Sequence, residues 1–253
     1  MSSASVPSAI QAYIDYQPYY GWRRSIFNWI LRRVVWALLK FEVTGQENVP
    51  ANGGTILMMN HISAIDPGLC MAAVTSRHVV PMSKIENFRS PIWGPFLWVY
   101  GAYAVRRGEV DREALLNSIA LLNSGMMILI APEGTRSAAG MQEPKDGMSY
   151  VATKANAVIL PTGLSGAQHF KSNFGRRRTP VQLHFGPPFR FKLNGRTRIP
   201  RDELTQMTRE AMYQLALAVP DPALRGVYAD VENATTETLE FIDPATGQPK
   251  DQT

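Results

Sequence analysis

The sequence predicts an α/β fold, a mostly parallel sheet flanked by helices, and three observations predict it. Short apolar runs such as Thr55 to Met59 and Met126 to Ile130 do not alternate with polar residues. That pattern suits strands buried on both faces of a parallel sheet. Stretches of helical spacing fall between successive runs, as crossover connections require. Each run also ends in residues able to do chemistry, and open α/β sheets bind ligands beyond the carboxyl ends of their strands.

Taken in order, residues Ala9 to Tyr20 are aromatic and mixed, and a helix is predicted from Trp22 to Phe41. At about 100° per residue, Ile26, Phe27, Ile30, Leu31, Val34, Ala37, Leu38 and Phe41 fall on one side. Arg24, Ser25, Asn28 and Arg32 fall opposite, with Trp29 and Trp36 near the border. Such a helix suits the plane of a membrane surface, and it equally suits a cover for the protein's own core. Strands are predicted at Phe41 to Thr44, Thr55 to Met59, Val79 to Met82, Gly101 to Val105, Met126 to Ile130, Ala157 to Leu160, Val181 to Phe185 and Phe189 to Leu193. Helices are predicted from Pro67 to Ser76, Asp111 to Asn123, Asp146 to Ala155 and Arg201 to Val219. Phe88 to Tyr100, rich in Pro, Gly and aromatics, reads as a bent apolar cover.

At 253 residues the chain can bury one full core. Its organisation reads as an N-terminal helical region over residues 1–44, a main domain over 45–220 and an acidic, partly disordered tail over 221–253, mobile after Asn233. The single cysteine, Cys70, excludes an internal disulfide and fits a reducing compartment. The start lacks the pattern of a secretory signal, and no window supplies the roughly 20 apolar residues of a spanning helix. A soluble or peripheral protein is therefore expected. The net charge is +5, but about seven acids against two bases lie from Asp221 onward, so the part before it is markedly basic. Basic surface suits phosphate, anionic lipid or nucleic acid alike.

The strand ending at Met59 runs into Asn60-His61 and reaches Asp66 one short loop later. An imidazole takes a proton near neutral pH, and a carboxylate neighbour fixes its tautomer and stabilises the imidazolium. His61 and Asp66 are five positions apart, so they need a turn between them to meet, which Ser63-Ala64 allows. The same residues also satisfy a helix start: Asp66 as N-cap, Pro67 at the first helical position, and Ser63 to Asp66 as a capping box. At the other strand ends stand Lys84, Arg106-Arg107 and Glu133-Gly134-Thr135-Arg136. Arg107 and Arg136 offer forked donors suited to a phosphate. Gly134 permits unusual backbone angles and can free an N–H for a ligand.

Other chemistries lack their markers. The four histidines, His61, His78, His169 and His184, show no metal-ligand spacing. There is no phosphate-cradling G-x4-G-K-[ST] loop, and Ser165 lacks the closing glycine of a nucleophile elbow. The basic loop Lys171 to Arg178, near Phe170 and Phe174, is weak support for nucleic acid, and none is expected as a partner.

Together these residues resemble the glycerolipid acyltransferase family, in particular the 1-acyl-glycerol-3-phosphate (lysophosphatidate) acyltransferases. The family's N-H-x-S-x-x-D block stands as Asn60 to Asp66 and its G-x-x-x-[VI]-x-R segment as Gly101 to Arg107. P-E-G-T-R-S is intact as Pro132 to Ser137, and an apolar run ending in proline stands as Val158 to Pro161. Two departures are Arg106, where an acidic residue is common, and Ala131, where an aromatic is common.

The resemblance implies transfer of a fatty acyl group from acyl-CoA or acyl carrier protein to the free hydroxyl of a lysophospholipid acceptor, 1-acyl-glycerol-3-phosphate, giving phosphatidic acid in phospholipid biosynthesis. It implies His61 as general base, Asp66 as its orienting partner, Arg107 and Arg136 on the acceptor phosphate, and Glu133, Gly134 and Thr135 shaping that pocket. Lys84 is a further anion contact. No cofactor and no metal are expected beyond the acyl-donor substrate. The protein is expected in the cytoplasm, bound peripherally to the inner face of a membrane bearing anionic lipid. Glycerol-3-phosphate or another lysolipid as acceptor, a non-catalytic lipid-surface protein and a thioester hydrolase are the rival readings.

Overall fold

In a computed structural model, residues 8–91, 93–106, 111–175 and 177–250 are described. Arg107, expected on the acceptor phosphate, lies outside them.

The chain begins with α1 (Ser8–Leu38) and β1 (Leu39–Thr44), then β2 (Thr55–Met59), α2 (Asp66–Ala73), β3 (Val79–Lys84), α3 (Ile85–Phe88), α4 (Trp93–Tyr100) and β4 (Tyr103–Val105). It continues through α5 (Arg112–Asn123), β5 (Met127–Ile130), α6 (Gly147–Ala155), β6 (Val158–Ser165), α7 (Phe170–Asn173), β7 (Thr179–Phe185), β8 (Phe189–Phe191), α8 (Arg201–Ala218) and β9 (Leu239–Phe241). The sheet order is β1-β7-β6-β2-β5-β3-β4, with β8 joining β6 to β9.

From β6 to β4 the neighbours are parallel, and β7 pairs antiparallel with β6. The result is a mostly parallel sheet, as the unbroken apolar runs imply. Every residue of β2, β5 and β6 is buried. Both faces of these central strands are covered, so periodicity of two carries no advantage there. Helix α8 packs along β6, and α5 packs against β5 and α6.

Helix α1 reverses the ordinary rule for a surface helix. Arg24 is 4% exposed and Asn28 and Gln17 are also buried, whereas Trp22 is 64%, Trp29 60% and Ile26 52% exposed. Phe27 and Leu31 pack partly against the core. Burying a guanidinium is tolerable only when its donors are satisfied. Arg24 Nε donates to the carbonyl of Tyr100 at 2.7 Å, and its Nη2 donates to Gln17 Oε1 at 2.5 Å and to the Gly101 carbonyl at 3.3 Å. Arg32 donates to the carbonyls of Ala72 and Val74 at 3.0 and 2.7 Å, satisfying the end of α2. The polar stripe is thus the adhesive side of α1, and much of the apolar stripe is left outward.

Sequence expectations differ from the structure at both ends of the chain. Residues Ala9 to Tyr20 are part of α1 rather than a mixed lead-in. The segment after Asn233, which its composition marks as mobile, supplies β9, pairing Phe241 with Phe189 and Leu239 with Phe191. The buried Glu210 explains part of this return: its carboxylate accepts from the N–H groups of Glu237 and Thr238 and from the hydroxyls of Thr235 and Thr238.

Candidate active site

The site begins where β2 stops. Strand β2 lies between β6 and β5, so whatever follows Met59 emerges at the centre of the sheet's edge. Asn60 is fully buried and extends the pairing with its side chain. Its Nδ2 donates to the Leu164 carbonyl at 3.0 Å, and the Leu164 N–H donates to its Oδ1 at 2.8 Å. An asparagine amide carries the donor and acceptor of a peptide group, which lets the backbone leave the sheet without orphaning β6.

His61 comes next, almost fully buried, and its backbone is held from both sides. Its N–H donates to Glu133 Oε1 at 3.2 Å, and its carbonyl accepts from the Ser137 N–H at 2.8 Å. The loop after β5 therefore closes onto the residue after β2.

The His61 ring meets Asp66, Nδ1 to Oδ2 at 2.9 Å. The same oxygen accepts the N–H of Ile62 at 2.7 Å and of Ser63 at 2.6 Å. Of the two roles open to Asp66, its carboxylate takes the pairing with His61 and not the cap: α2 starts at Asp66 itself, with no side-chain cap, and the carboxylate turns back over the loop. Because an ionised carboxylate only accepts, the proton on the ring is assigned to Nδ1, leaving the Nε2 lone pair as the base. Burial pushes the Asp66 carboxyl up, while the imidazole and the two amides draw it back down.

Glu133 is buried and committed to the backbone, its Oε2 accepting the Gln142 N–H at 2.9 Å. Burial pushes it up to about 7, with the charge of Asp66 adding to the shift and the two amide donors opposing it. Gly134 has φ +68°, and a Cβ there would stand 3.5 Å from Lys145 Cε. Thr135 and Arg136 follow on the exposed side of this loop, and Lys84 ends β3, half-buried.

Lys145 is a neighbour the sequence reading missed. Its stem lies over Gly134, and its N–H donates to the Pro132 carbonyl at 3.0 Å. The one signal for it is a lone base between the P-E-G-T-R-S block and the next helix. Arg106 turns elsewhere: its N–H donates to Asp111 Oδ2, and its guanidinium makes a long, exposed contact with Glu113. Cys70 is buried against Met59, and burial pushes its thiol up, so it is no nucleophile. Among the described residues no group of three or more His, Cys, Asp or Glu could hold a metal ion.

Residues 40–165 match the family model described as Acyltransferase. Among named proteins, the chain is similar to the 1-acyl-sn-glycerol-3-phosphate acyltransferase of Borreliella burgdorferi, 33% identical over 59% of this chain and 61% of that one. It is likewise similar to the alpha enzyme of the same name from Mus musculus, 30% identical over 59% of this chain and 55% of that one. The chain thus spans less than two thirds of the length of either relative. Its fold is similar to the structure of the 1-acyl-sn-glycerophosphate acyltransferase PlsC from Thermotoga maritima, with TM-score 0.58, 23% identity and 74% and 75% of the two chains covered. With its ordered blocks set along one sheet and a domain model matching them, the chain belongs to the acyltransferase family.

Proposed function

We propose that this chain is an O-acyltransferase that moves a fatty acyl group from a thioester, acyl-CoA or acyl carrier protein, to the free hydroxyl of 1-acyl-glycerol-3-phosphate. The observation that carries the reading is the His61–Asp66 pair, 2.9 Å apart, with Asp66 locked by two further amide donors. His61 Nε2 takes the hydroxyl proton as the oxygen attacks the thioester carbon. The tetrahedral intermediate then collapses, the C–S bond breaks, and the imidazolium returns the proton to the leaving thiolate. The products are phosphatidic acid and a free thiol. Base catalysis of this kind is worth roughly 10²–10⁴-fold, so positioning and charge stabilisation supply the rest.

Lys84, Arg107 and Arg136 are assigned to the acceptor phosphate, with Lys145 a further cation beside the Gly134 turn. Thr135 and Gly134 shape the rim there. Glu133, itself buried, positions the His61 backbone and shapes the pocket from beneath.

The protein works at the cytoplasmic face of a membrane bearing anionic lipid, held peripherally by α1. No helix among the described residues is long and apolar enough to cross a membrane. The outward Trp22, Ile26, Trp29 and Ile30 support an in-plane helix, as do Arg23 over Trp22 and Arg33 over Trp29 at 5.5 and 5.3 Å. Free thiol release, measured with and without lysophosphatidate and with acyl-CoA or acyl carrier protein as donor, tests the chemistry. Release without acceptor would favour a hydrolase, and none with either donor would favour a non-catalytic lipid-surface protein. A panel including glycerol-3-phosphate decides the acceptor.

A further inference from the structure

We infer that α4 is a second membrane-contact element, so that the protein docks on a bilayer through two helices rather than one. The inference rests on the reading of α1 as a membrane-surface helix.

In eight residues, α4 leaves Trp93, Phe96, Trp98 and Val99 largely exposed, with Trp98 at 66%. Such a density of uncovered aromatics is unusual for a surface that faces only water. The face is also continuous with that of α1. Phe96 stands edge-on to Phe27 of α1 at 5.5 Å, and Trp93 lies 6.4 Å from Phe96, so an aromatic row runs from one helix to the next. The two helices are held in a fixed relation from beneath, because Arg24 of α1 bonds the carbonyl of Tyr100, the last residue of α4.

A bilayer fits this face better than a protein groove does. Tryptophans and phenylalanine with arginines at their margin, here Arg23, Arg33 and the exposed Arg89 just before α4, match the headgroup boundary of an anionic leaflet. A single in-plane helix leaves a domain free to roll about the helix axis. A second line of contact at α4 stops that roll and fixes which way the sheet edge bearing His61 faces.

The test uses the full chain with Cys70→Ala and one environment-sensitive fluorophore at Trp98→Cys, Trp29→Cys or, as a control on α8, Thr205→Cys. Vesicles of phosphatidylcholine and phosphatidylglycerol, with and without nitroxide-labelled lipid, are added to each. The expected result is a blue shift and lipid quenching at 98 and 29 and neither at 205. In the unlabelled protein, Trp93→Ser with Trp98→Ser is expected to weaken vesicle partitioning about tenfold while the melting temperature stays near wild type. Quenching at 29 but not at 98 would overturn the role of α4 and leave that of α1 standing. Quenching at neither would overturn both, and quenching at all three would mean insertion without a defined face. A blue shift at 98 without vesicles, accompanied by a doubled mass, would assign the face to a second copy and overturn the inference.

Discussion

Glu133 holds the backbone of His61 through a hydrogen bond from its N–H to Oε1 at 3.2 Å, while the other carboxylate oxygen takes the Gln142 N–H. A residue of the P-E-G-T-R-S block thereby sets the height of the base above the sheet. The carboxyl is pushed up to about 7 from an ordinary 4.5. The folded protein thus binds this proton more tightly than the unfolded chain, and the stability it contributes is fully present below pH 4.5 and declines as pH rises through about 7. Glu133→Gln carries no such charge, so its melting temperature relative to wild type is expected to improve as pH rises across that window. At every pH the variant also carries a constant penalty of about 1–3 kcal/mol, because its NH₂ opposes one of the two amides. Parallel melting curves against pH would contradict the assignment.

Asp66→Asn keeps the size of the side chain and reverses its polarity toward the ring. If the amide oxygen stays with the Ile62 and Ser63 N–H groups, the NH₂ faces Nδ1, and the ring proton is driven to Nε2. We expect kcat to fall roughly 10²–10⁴-fold with little change in the KM of the acceptor or in melting temperature. A variant within about threefold of wild type would mean that the carboxylate does not govern the tautomer.

Asn60→Ala removes a buried amide that satisfies both the N–H and the carbonyl of Leu164. Each orphaned buried group costs about 1–3 kcal/mol, so urea titration is expected to show a loss of about 2–5 kcal/mol. A loss under about 0.5 kcal/mol, the level of an ordinary surface change, would mean that the strand end relaxes freely.

The Arg24–Gly101 contact explains the glycine that opens the second block. Gly101 has φ +74°, and a Cβ there would fall 2.8 Å from Arg24 Nη2 and 3.0 Å from the Tyr20 ring. Arg24→Met should destabilise by about 2–4 kcal/mol, since it removes the guanidinium donors from the Tyr100 carbonyl and from Gln17 Oε1 in a buried place, while the Gly101 carbonyl keeps the Tyr13 hydroxyl. Arg24→Lys, with a compact ammonium, should recover part of that loss. Gly101→Ala should destabilise as well, through both the backbone angle and the contact. Equal stability of all three variants with wild type would show the clamp to be dispensable.

Much of the sheet was legible because parallel strands buried on both faces spell themselves as unbroken apolar runs, as Ile56 to Met59 and Ile128 to Ile130 do. Strand direction then followed from the helical stretches between them, and with it the shared edge of His61, Lys84 and Glu133. The inward turn of Asp66 was not separable from a helix cap, because the two readings use the same letters and differ only in where one carboxylate points. Periodicity also gave α1 its two stripes without saying which one adheres. Arg24 and Arg32 decide that by finding carbonyls far along the chain, at Tyr100 and Ala72, and no local pattern records such partners. The return of β9 escaped for the same reason, since Glu210 gathers the backbone of residues 237 and 238 from a helix more than 20 positions away.

The most direct measurement is thiol release from acyl-CoA or acyl carrier protein in the presence of lysophosphatidate and vesicles, comparing wild type with His61→Ala. Acceptor-dependent release by wild type, lowered about 10²–10⁴-fold in a variant that still melts like wild type, is the predicted result. Undiminished acceptor-dependent release by His61→Ala would contradict the account at its centre, because the proton would then be leaving the hydroxyl by some other route.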